Sequence, residues 1–201
     1  MPETIESHFS RMQEIVQSEQ FLSRKGIINE VPFFIFAYPP SEENQVQKHT
    51  SFMLKKLRTL GVSLLEINLY DVCVEIIKEQ GFWEKLLEME AKWKKDKFQR
   101  QLRNLIEIQE HLMPAISKRI KDAGEIGVLF LTGVGNIYPF IRTHTVLNNL
   151  QSIAKEYPTL LFFPGEYTFT EGRGSSLDLF GVLNEDKYYR AFNIMEYTLQ
   201  S

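Results

Sequence analysis

The sequence predicts an α/β fold of three layers around a mostly parallel central sheet. Its most apolar segments are short, bounded by Pro, Gly or charged residues, and do not alternate cleanly with polar positions, which is typical of strands covered on both faces. Helical patterns separate them, and this alternation favours right-handed crossovers between parallel strands. The predicted strands are Val31–Ala37, Val62–Leu69, Gly127–Thr132 and Thr159–Phe163.

Two of the connecting segments show clear helical periodicity. Glu42–Leu60 brings its apolar residues near one face and stops at Gly61, and glycine commonly follows the C-terminus of a helix. Thr143–Glu156 has the same pattern and ends before Pro158. Both segments are therefore predicted to be helices that pack on the sheet.

The segment between the second and third predicted strands is longer than one crossover helix requires. It is amphipathic and helical in pattern, with breaks at Gly81 and Pro114. Because 201 residues is near the usual size of one domain, we expect a single α/β domain, residues 1–201, with a helical insertion at about 70–124. After the fourth strand we expect a last edge strand at Leu177–Val182 and a closing helix or loop.

The composition, 43% hydrophobic and 24% charged, is that of an ordinary globular protein. No run of 18 apolar residues occurs, so no membrane span is predicted. The N-terminus lacks the features of a secretory signal, and a cytoplasmic location is expected. Cys73 is a lone cysteine within an apolar segment and is interpreted as a buried small hydrophobe.

The net charge of −3 argues against a protein that coats nucleic acid through bulk electrostatics. One local segment, KWKKDKFQRQLR, nevertheless holds six basic residues and one acid. It is interpreted as a solvated helix, and a site for a polyanion or an acidic partner is the alternative. The basic residues are Lys92, Lys94, Lys95, Lys97, Arg100 and Arg103.

The segment FLTGVGNIYPFIRTH follows the third strand, where many α/β proteins hold a phosphate. A Walker A loop needs Gly-Lys-Ser/Thr five residues after its first glycine, but Tyr138 and Pro139 stand there instead. Gly133 and Gly135 fit the first two glycines of the dinucleotide fingerprint, and Tyr138 occupies the third position. The sequence therefore predicts a Rossmann-like or P-loop-like sheet without a functional Walker A.

Two interpretations of this segment stay open. The backbone N–H groups of Gly133 and Gly135 could surround an anion, with Thr132, Arg142 and His144 as further donors. Alternatively, the glycines only permit a tight turn between strand and helix.

The fourth strand leads into a second candidate region. Glu166 follows that strand and could face the same crevice, because ligands of parallel sheets lie beyond the carboxyl ends of the strands. The glycines around Arg173 suggest a mobile loop that closes over a ligand or docks a partner, or is a plain surface loop.

Tests for metal and nucleophile motifs give no candidate. The four histidines, His8, His49, His111 and His144, are dispersed, and neither HxH nor HExxH occurs. Ser175 is not in a GxSxG elbow. We therefore predict no metal, no cofactor and no catalytic residue.

Six sequence blocks resemble those of a known family: NEVPFFIFAYPP, LLEINLYD, EHLMPAI, VLFLTGVGNIYPFIRTHTVLNNLQS, LLFFPGEYT and SSLDLFGVLNEDKYYRAFNI. Through them the chain resembles the BrxB family of bacterial BREX (bacteriophage exclusion) systems. The resemblance runs from about Glu30 to Ile194 and is weakest around Lys92–Arg103.

This resemblance implies a role in phage defence, beside a large ATPase, an adenine-specific DNA methyltransferase, a PglZ-type phosphatase-superfamily protein and a small nucleic-acid-binding protein. It brings no agreed catalytic residues. The first interpretation is a non-catalytic assembly module that binds another BREX protein, with the PglZ-type protein placed before the ATPase and the methyltransferase, and that supports host DNA methylation and phage restriction. A homodimer also fits this interpretation.

Two alternatives stay open. One is a nucleotide- or anion-binding protein, hydrolytic or not, with a degenerate phosphate loop at Thr132–Asn136. The other is direct DNA contact through the basic segment. The candidate ligand- or partner-binding residues are Thr132, Gly133, Gly135, Asn136, Tyr138, Arg142, His144, Glu166, Tyr167, Tyr188, Tyr189 and Arg190.

Overall fold

A computed structural model describes residues 4–23, 32–170, 174–181, 183–184 and 191–200. The α-helices are Ile5–Gln17 (α1), Glu19–Leu22 (α2), Glu43–Thr59 (α3), Leu69–Glu79 (α4), Trp83–Glu90 (α5), Lys95–Leu105 (α6), Met113–Ala123 (α7) and Thr143–Leu150 (α8). The strands are Phe33–Tyr38 (β1), Leu64–Asn68 (β2), Val128–Thr132 (β3), Thr159–Thr170 (β4), Gly174–Leu179 (β5), Leu183–Asn184 (β6) and Ala191–Asn193 (β7).

The centre of the protein is a parallel sheet with the strand order β2-β3-β4-β1-β7. β1 pairs with β4 along its whole length, from Phe33 opposite Thr159 to Tyr38 opposite Pro164. On its other side β1 pairs with β7. The predicted α/β class with a mostly parallel sheet is therefore confirmed.

Helices cover both faces of this sheet. Along β1, Phe33 and Ile35 join the core beneath α4 to α8, whereas Phe34 and Phe36 join the core beneath α1 to α3. Successive side chains of a strand point to opposite faces, so a strand buried on both sides is apolar at every position. This arrangement explains the uninterrupted apolar run and gives the predicted three layers.

The chain between β2 and β3 forms α4, α5, α6, a π-helical turn at Ile108–Leu112 and α7. The division into one domain with an insertion at about 70–124 stays a prediction. Among the described residues, no helix is both long enough and apolar enough to cross a bilayer.

Some element boundaries differ from the predictions. α8 ends at Leu150 rather than Glu156, because turns follow it. α1 was not predicted, although its buried residues, which include Phe9 and Met12, cover the sheet face beside α3. The basic segment is not one helix, since α5 ends at Glu90 and α6 begins at Lys95.

The region after the fourth strand also needs correction. β4 does not stop at Phe163 but runs on to Thr170, and its second half pairs with β5 in antiparallel fashion. Glu166 therefore lies in a strand rather than in a loop, opposite Asp178. The predicted strand Leu177–Val182 is only partly present, because β5 ends at Leu179 and Val182 lies outside the described residues. The edge of the parallel sheet beside β1 is β7.

The aromatic core offers a direct test of this packing. Phe36 is fully buried and contacts the rings of Phe9 and Phe162, whereas Phe52 on α3 is 69% exposed. We expect Phe36→Ala to lower the free energy of unfolding by about 3–5 kcal/mol, because it removes buried apolar contacts and leaves a cavity. The matched change Phe52→Ala should alter it by no more than about 0.5 kcal/mol. Urea unfolding of both variants gives the comparison, and similar losses would contradict the described core.

Candidate functional site

The strand order defines where a ligand or partner would meet the sheet. The chain leaving β1 passes through α3 to β2 at one edge, whereas the chain leaving β4 leads to β7 on the other side of β1. Ligand sites of open parallel sheets lie beyond the carboxyl ends of neighbouring strands whose connections run in opposite directions. β1 and β4 are such neighbours, so the candidate site lies at their carboxyl ends.

A crevice of ≈ 450 Å³ opens at this point, and we call it the switch-point crevice. The end of β1 forms one wall, with Pro39 and Pro40 just beyond it, and the second half of β4 contributes the exposed carboxylate of Glu166. Phe180 and Gly181, in the turn after β5, complete the lining. The crevice is therefore built from strand ends and short turns.

Phe180 has an unusual backbone conformation. Its φ is 57°, in the left-handed region, which costs a residue with a side chain about 1–2 kcal/mol. The Phe180 N–H donates to the Pro164 carbonyl at 2.9 Å, and the Tyr138 ring lies edge-on at 6.1 Å between centroids. The ring is nevertheless 38% exposed. A strained, exposed aromatic residue at a crevice is a feature of functional sites.

Both glycines of the segment after β3 stand in close contacts. Gly133 has φ +75°, and a Cβ there would overlap the side-chain oxygen of Asn68, which caps α4 by accepting from the N–H of Tyr70 at 3.0 Å. A Cβ on Gly135 would lie 2.8 Å from Pro164 Cγ and 3.3 Å from Phe180 Cε1. Close packing thus accounts for both glycines, which favours the turn interpretation.

Thr132 and Gly133 line a second cavity, which we call the polar cavity. It measures ≈ 190 Å³ and lies at the carboxyl ends of β1, β2 and β3 on the α3 side of the sheet. The Thr132 hydroxyl donates to Glu66 Oε1 at 3.1 Å. The Tyr38 hydroxyl donates to Glu43 Oε2 at 2.7 Å. Burial of Tyr38 raises the pKa of its phenol, and Glu43 raises it further, so this hydroxyl stays a donor at neutral pH.

Two carboxylates therefore line the cavity where a phosphate would have to bind. Like charges at short range repel in a partly buried site, so Glu43 and Glu66 disfavour an anion there. Arg142, one of the predicted donors to an anion, is the exposed residue before α8 and does not line this cavity. Nucleotide or anion binding at Thr132–Asn136 stays a prediction.

The remaining candidates are dispersed. Tyr167 is half-buried and donates its hydroxyl to the Ala191 carbonyl at 2.5 Å, which ties the second half of β4 to β7. His144 lies half-buried in the first turn of α8. Three further candidates, Tyr188, Tyr189 and Arg190, lie outside the described residues.

Asn136 points to a different surface, an apolar groove of ≈ 240 Å³ between α4, α5 and α6. Its aromatic lining comes from Tyr70, Trp83, Phe98 and Phe140. Cys73 also lines the groove, and burial raises the pKa of its thiol to about 12. The prediction that Cys73 is a buried small hydrophobe is confirmed.

The basic segment contributes Phe98 and Leu102 to this groove, whereas its basic residues do not line it. Lys92 is in the turn between α5 and α6, and Lys94 immediately precedes α6. Two cations contact neighbouring groups: Lys97 Nζ lies 4.0 Å from the centroid of the Trp93 ring, and an Arg103 N–H donates to the Pro139 carbonyl at 3.1 Å. All six basic residues are exposed: Lys92, Lys94, Lys95, Lys97, Arg100 and Arg103.

Sequence reasoning missed several residues of the two cavities. Glu66 left a signal, because it is the only charged residue inside the predicted strand Val62–Leu69. Glu43 and Tyr38 left none, because their contact depends on how α3 returns over the end of β1. Phe180 gave no signal either. In the described part of the chain, no group of three or more His, Cys, Asp or Glu side chains could hold a metal ion.

The fold and the site define a class of protein: a helix-covered parallel α/β sheet with a crevice and an acid-lined cavity at its carboxyl edge. The chain belongs to the BrxB family, since the sequence profile described as "BREX protein BrxB" matches residues 65–194.

Two curated relatives bear the same description. The protein from Bacillus cereus (strain H3081.97) is 34% identical over 193 residues, which is 92% of this chain and 96% of the relative. The protein from Escherichia coli O9:H4 (strain HS) is 29% identical over 191 residues, 95% of this chain and 92% of the relative. No solved structure matches the chain.

The turn interpretation of the segment after β3 can be tested by stability. Gly133→Ala places a methyl group in the left-handed region and displaces Asn68 from the α4 cap. Gly61 is a matched control, because its φ is +82° and a Cβ there would meet no atom within 4 Å. We expect Gly61→Ala to cost about 1–2 kcal/mol and Gly133→Ala about 1 kcal/mol more, the value of a lost helix cap. Urea unfolding measures both losses. Equal losses would show that the contact with Asn68 adds nothing to the cost of a side chain at Gly133.

Proposed function

We propose that this chain is a non-catalytic assembly module of a BREX phage-defence system, whose switch-point crevice binds another BREX protein. The observation that carries the proposal is Phe180, an exposed aromatic residue held at positive φ on the rim of the crevice. Packing of the core alone does not explain why Phe180 is both strained and exposed. A partner that buries the ring would account for both.

The surroundings of Phe180 have the composition of a protein interface. Tyr138 packs against its ring, and Pro39 and Pro40 line the opposite wall. The exposed carboxylate of Glu166 adds a polar group to this apolar centre. Aromatic side chains are enriched at the centres of protein interfaces, and polar groups surround them.

Membership of the BrxB family supports the placement of this chain in a BREX phage-defence system. The family belongs to BREX, a multi-protein bacteriophage-exclusion system, so the chain is a phage-defence component, and other BREX proteins are the partners that we propose for it. Among these we place the PglZ-type protein first, ahead of the ATPase and the methyltransferase. Support of host DNA methylation and phage restriction, and a cytoplasmic location, are parts of the same proposal.

Co-purification from cells that carry the whole operon tests the proposal. We expect the tagged chain to retain a BREX protein in fixed ratio, and Phe180→Ala to lower the recovered amount at least about tenfold, the loss expected for a central aromatic contact.

Phe52→Ala is the matched control, since it removes an exposed phenylalanine on α3 that does not line the crevice. Its recovery should equal that of the unchanged chain. Equal recovery from Phe180→Ala and Phe52→Ala would show that the crevice is not the docking surface, and a chain that purifies alone would overturn the assembly role.

Direct DNA contact is a second candidate, favoured by the exposure of all the basic residues around α6. Lys94, Lys95 and Lys97 lie within four residues, with only Asp96 between them. If they neutralise phosphates, their exchange for Glu should weaken binding to duplex DNA and reduce the salt slope by about one for each phosphate that is no longer neutralised.

The same triple exchange at Lys55, Lys56 and Arg58 on α3 is the control, because these residues are also exposed and change the net charge equally. If both triple exchanges weaken DNA binding equally in a salt titration, the binding depends only on the overall charge of the chain. The absence of binding by the unchanged chain would remove this candidate.

A further inference from the structure

We infer that the polar cavity is a binding site for a cationic group that carries N–H donors, an ammonium or a guanidinium. This inference goes beyond the proposed function, because the site lies beside α3 rather than in the switch-point crevice and needs no protein partner to be filled. It rests on three features of the cavity: its carboxylates, the hydroxyl of a buried threonine that opens onto the cavity, and its apolar walls.

The carboxylates of Glu43 and Glu66 come from different elements and line the same cavity. Each accepts from one hydroxyl, Tyr38 for Glu43 and Thr132 for Glu66, and Gln47 also donates to Glu43 Oε1 at 2.9 Å. A carboxylate can accept about four hydrogen bonds, so both keep capacity for further donors. Neither forms an ion pair within the described parts of the chain. Their charge favours a cation, and their open lone pairs favour N–H groups.

Thr50 provides an independent observation. It lies on α3, is only 4% exposed and lines the cavity, yet its hydroxyl forms no hydrogen bond to any residue of the described ranges. The Thr50 oxygen is not among the fully enclosed polar atoms that lack a partner, so it is open to the cavity, and its partner there must be water or a ligand. A ligand N–H group in the cavity would satisfy this hydroxyl.

The walls and the size limit the ligand. Val46 and Phe162, both buried, give the cavity an apolar side, and the volume of ≈ 190 Å³ suits a short methylene chain with one charged head. Lysine and arginine side chains have this division between an apolar stem and a charged end. The shared chemistry is thus an alkylammonium or alkylguanidinium, supplied by a free amine or by a basic side chain of a protein partner.

The first experiment uses the isolated full-length chain, so its outcome does not depend on the proposed partner. Butylammonium chloride is titrated into the ¹⁵N-labelled protein, with n-butanol as the neutral control of similar shape. We expect saturable amide shifts at residues that border the cavity, such as Thr50 and Gly133, with the ammonium only. The absence of saturable shifts, or equal shifts with butanol, would overturn the inference.

Two variants assign the effect to the carboxylates. Glu43→Gln combined with Glu66→Gln should weaken butylammonium binding at least about tenfold, because it removes both charges. Glu84→Gln combined with Glu88→Gln is the control, since both residues lie on α5, away from the cavity, and the net charge changes equally. Equal weakening in the two double variants would show that butylammonium responds only to the net charge of the chain, and it would overturn the inference.

If the variant with Glu43→Gln and Glu66→Gln does not fold, Thr50→Val provides a second test of binding in the polar cavity. It nearly preserves side-chain volume and removes only the hydroxyl, so binding should weaken by about two- to tenfold, the worth of one hydrogen bond. An unchanged affinity would contradict the role of Thr50. The remaining possibility is a metal site, and a titration with magnesium chloride tests it. If Mg²⁺ shifts the same amides to saturation and displaces butylammonium, the cavity is a metal site and the inference is overturned.

Co-purification of the variant with Glu43→Gln and Glu66→Gln decides whether the cation is a free amine or a basic side chain of a partner. Loss of the retained BREX protein, with full retention by the Glu84→Gln, Glu88→Gln control, assigns the cation to a basic side chain of that partner. Full retention by both, together with butylammonium binding by the unchanged chain, assigns it to a free amine.

Discussion

The pairing of β1 with β4 is the interaction on which the rest of the structure depends. These two strands lie at the centre of the sheet, and their register runs without interruption from Phe33 opposite Thr159 to Tyr38 opposite Pro164. Their side chains enter both core clusters, so each helical layer packs on this pair. A one-residue slip of either strand would exchange its two faces and disrupt both cores at once.

The same pairing determines where the two cavities form. Tyr38 is the last residue of β1, and it lines both the switch-point crevice and the polar cavity. The crevice combines aromatic groups with one exposed carboxylate, whereas the polar cavity holds two half-buried carboxylates and several hydroxyls. One sheet edge thus offers a surface suited to a protein and a cavity suited to a small cationic group.

The sequence predicted the parts of the fold that depend on local pattern. The first three apolar strands and the helix after β1 were placed to within a few residues, and the fourth strand was placed at its start. Burial on both faces leaves strands such as β1 and β3 almost without polar positions, which makes them recognisable. The continuation of β4 was not predicted, because the pattern after Phe163 is polar and contains Gly165, and its pairing with β5 depends on distant residues. Contacts such as Tyr38 with Glu43 likewise depend on tertiary packing.

Twelve residues of β4 pass from the middle of the sheet to the rim of the crevice as one strand, with no loop between the two halves. The hydrogen bond from Tyr167 to Ala191 fastens the outer half to β7. This wall of the crevice is therefore preorganised, and a partner would meet it already in its bound shape. Association with such a surface loses little conformational entropy, so shape and charge complementarity, rather than coupled folding, would set the affinity.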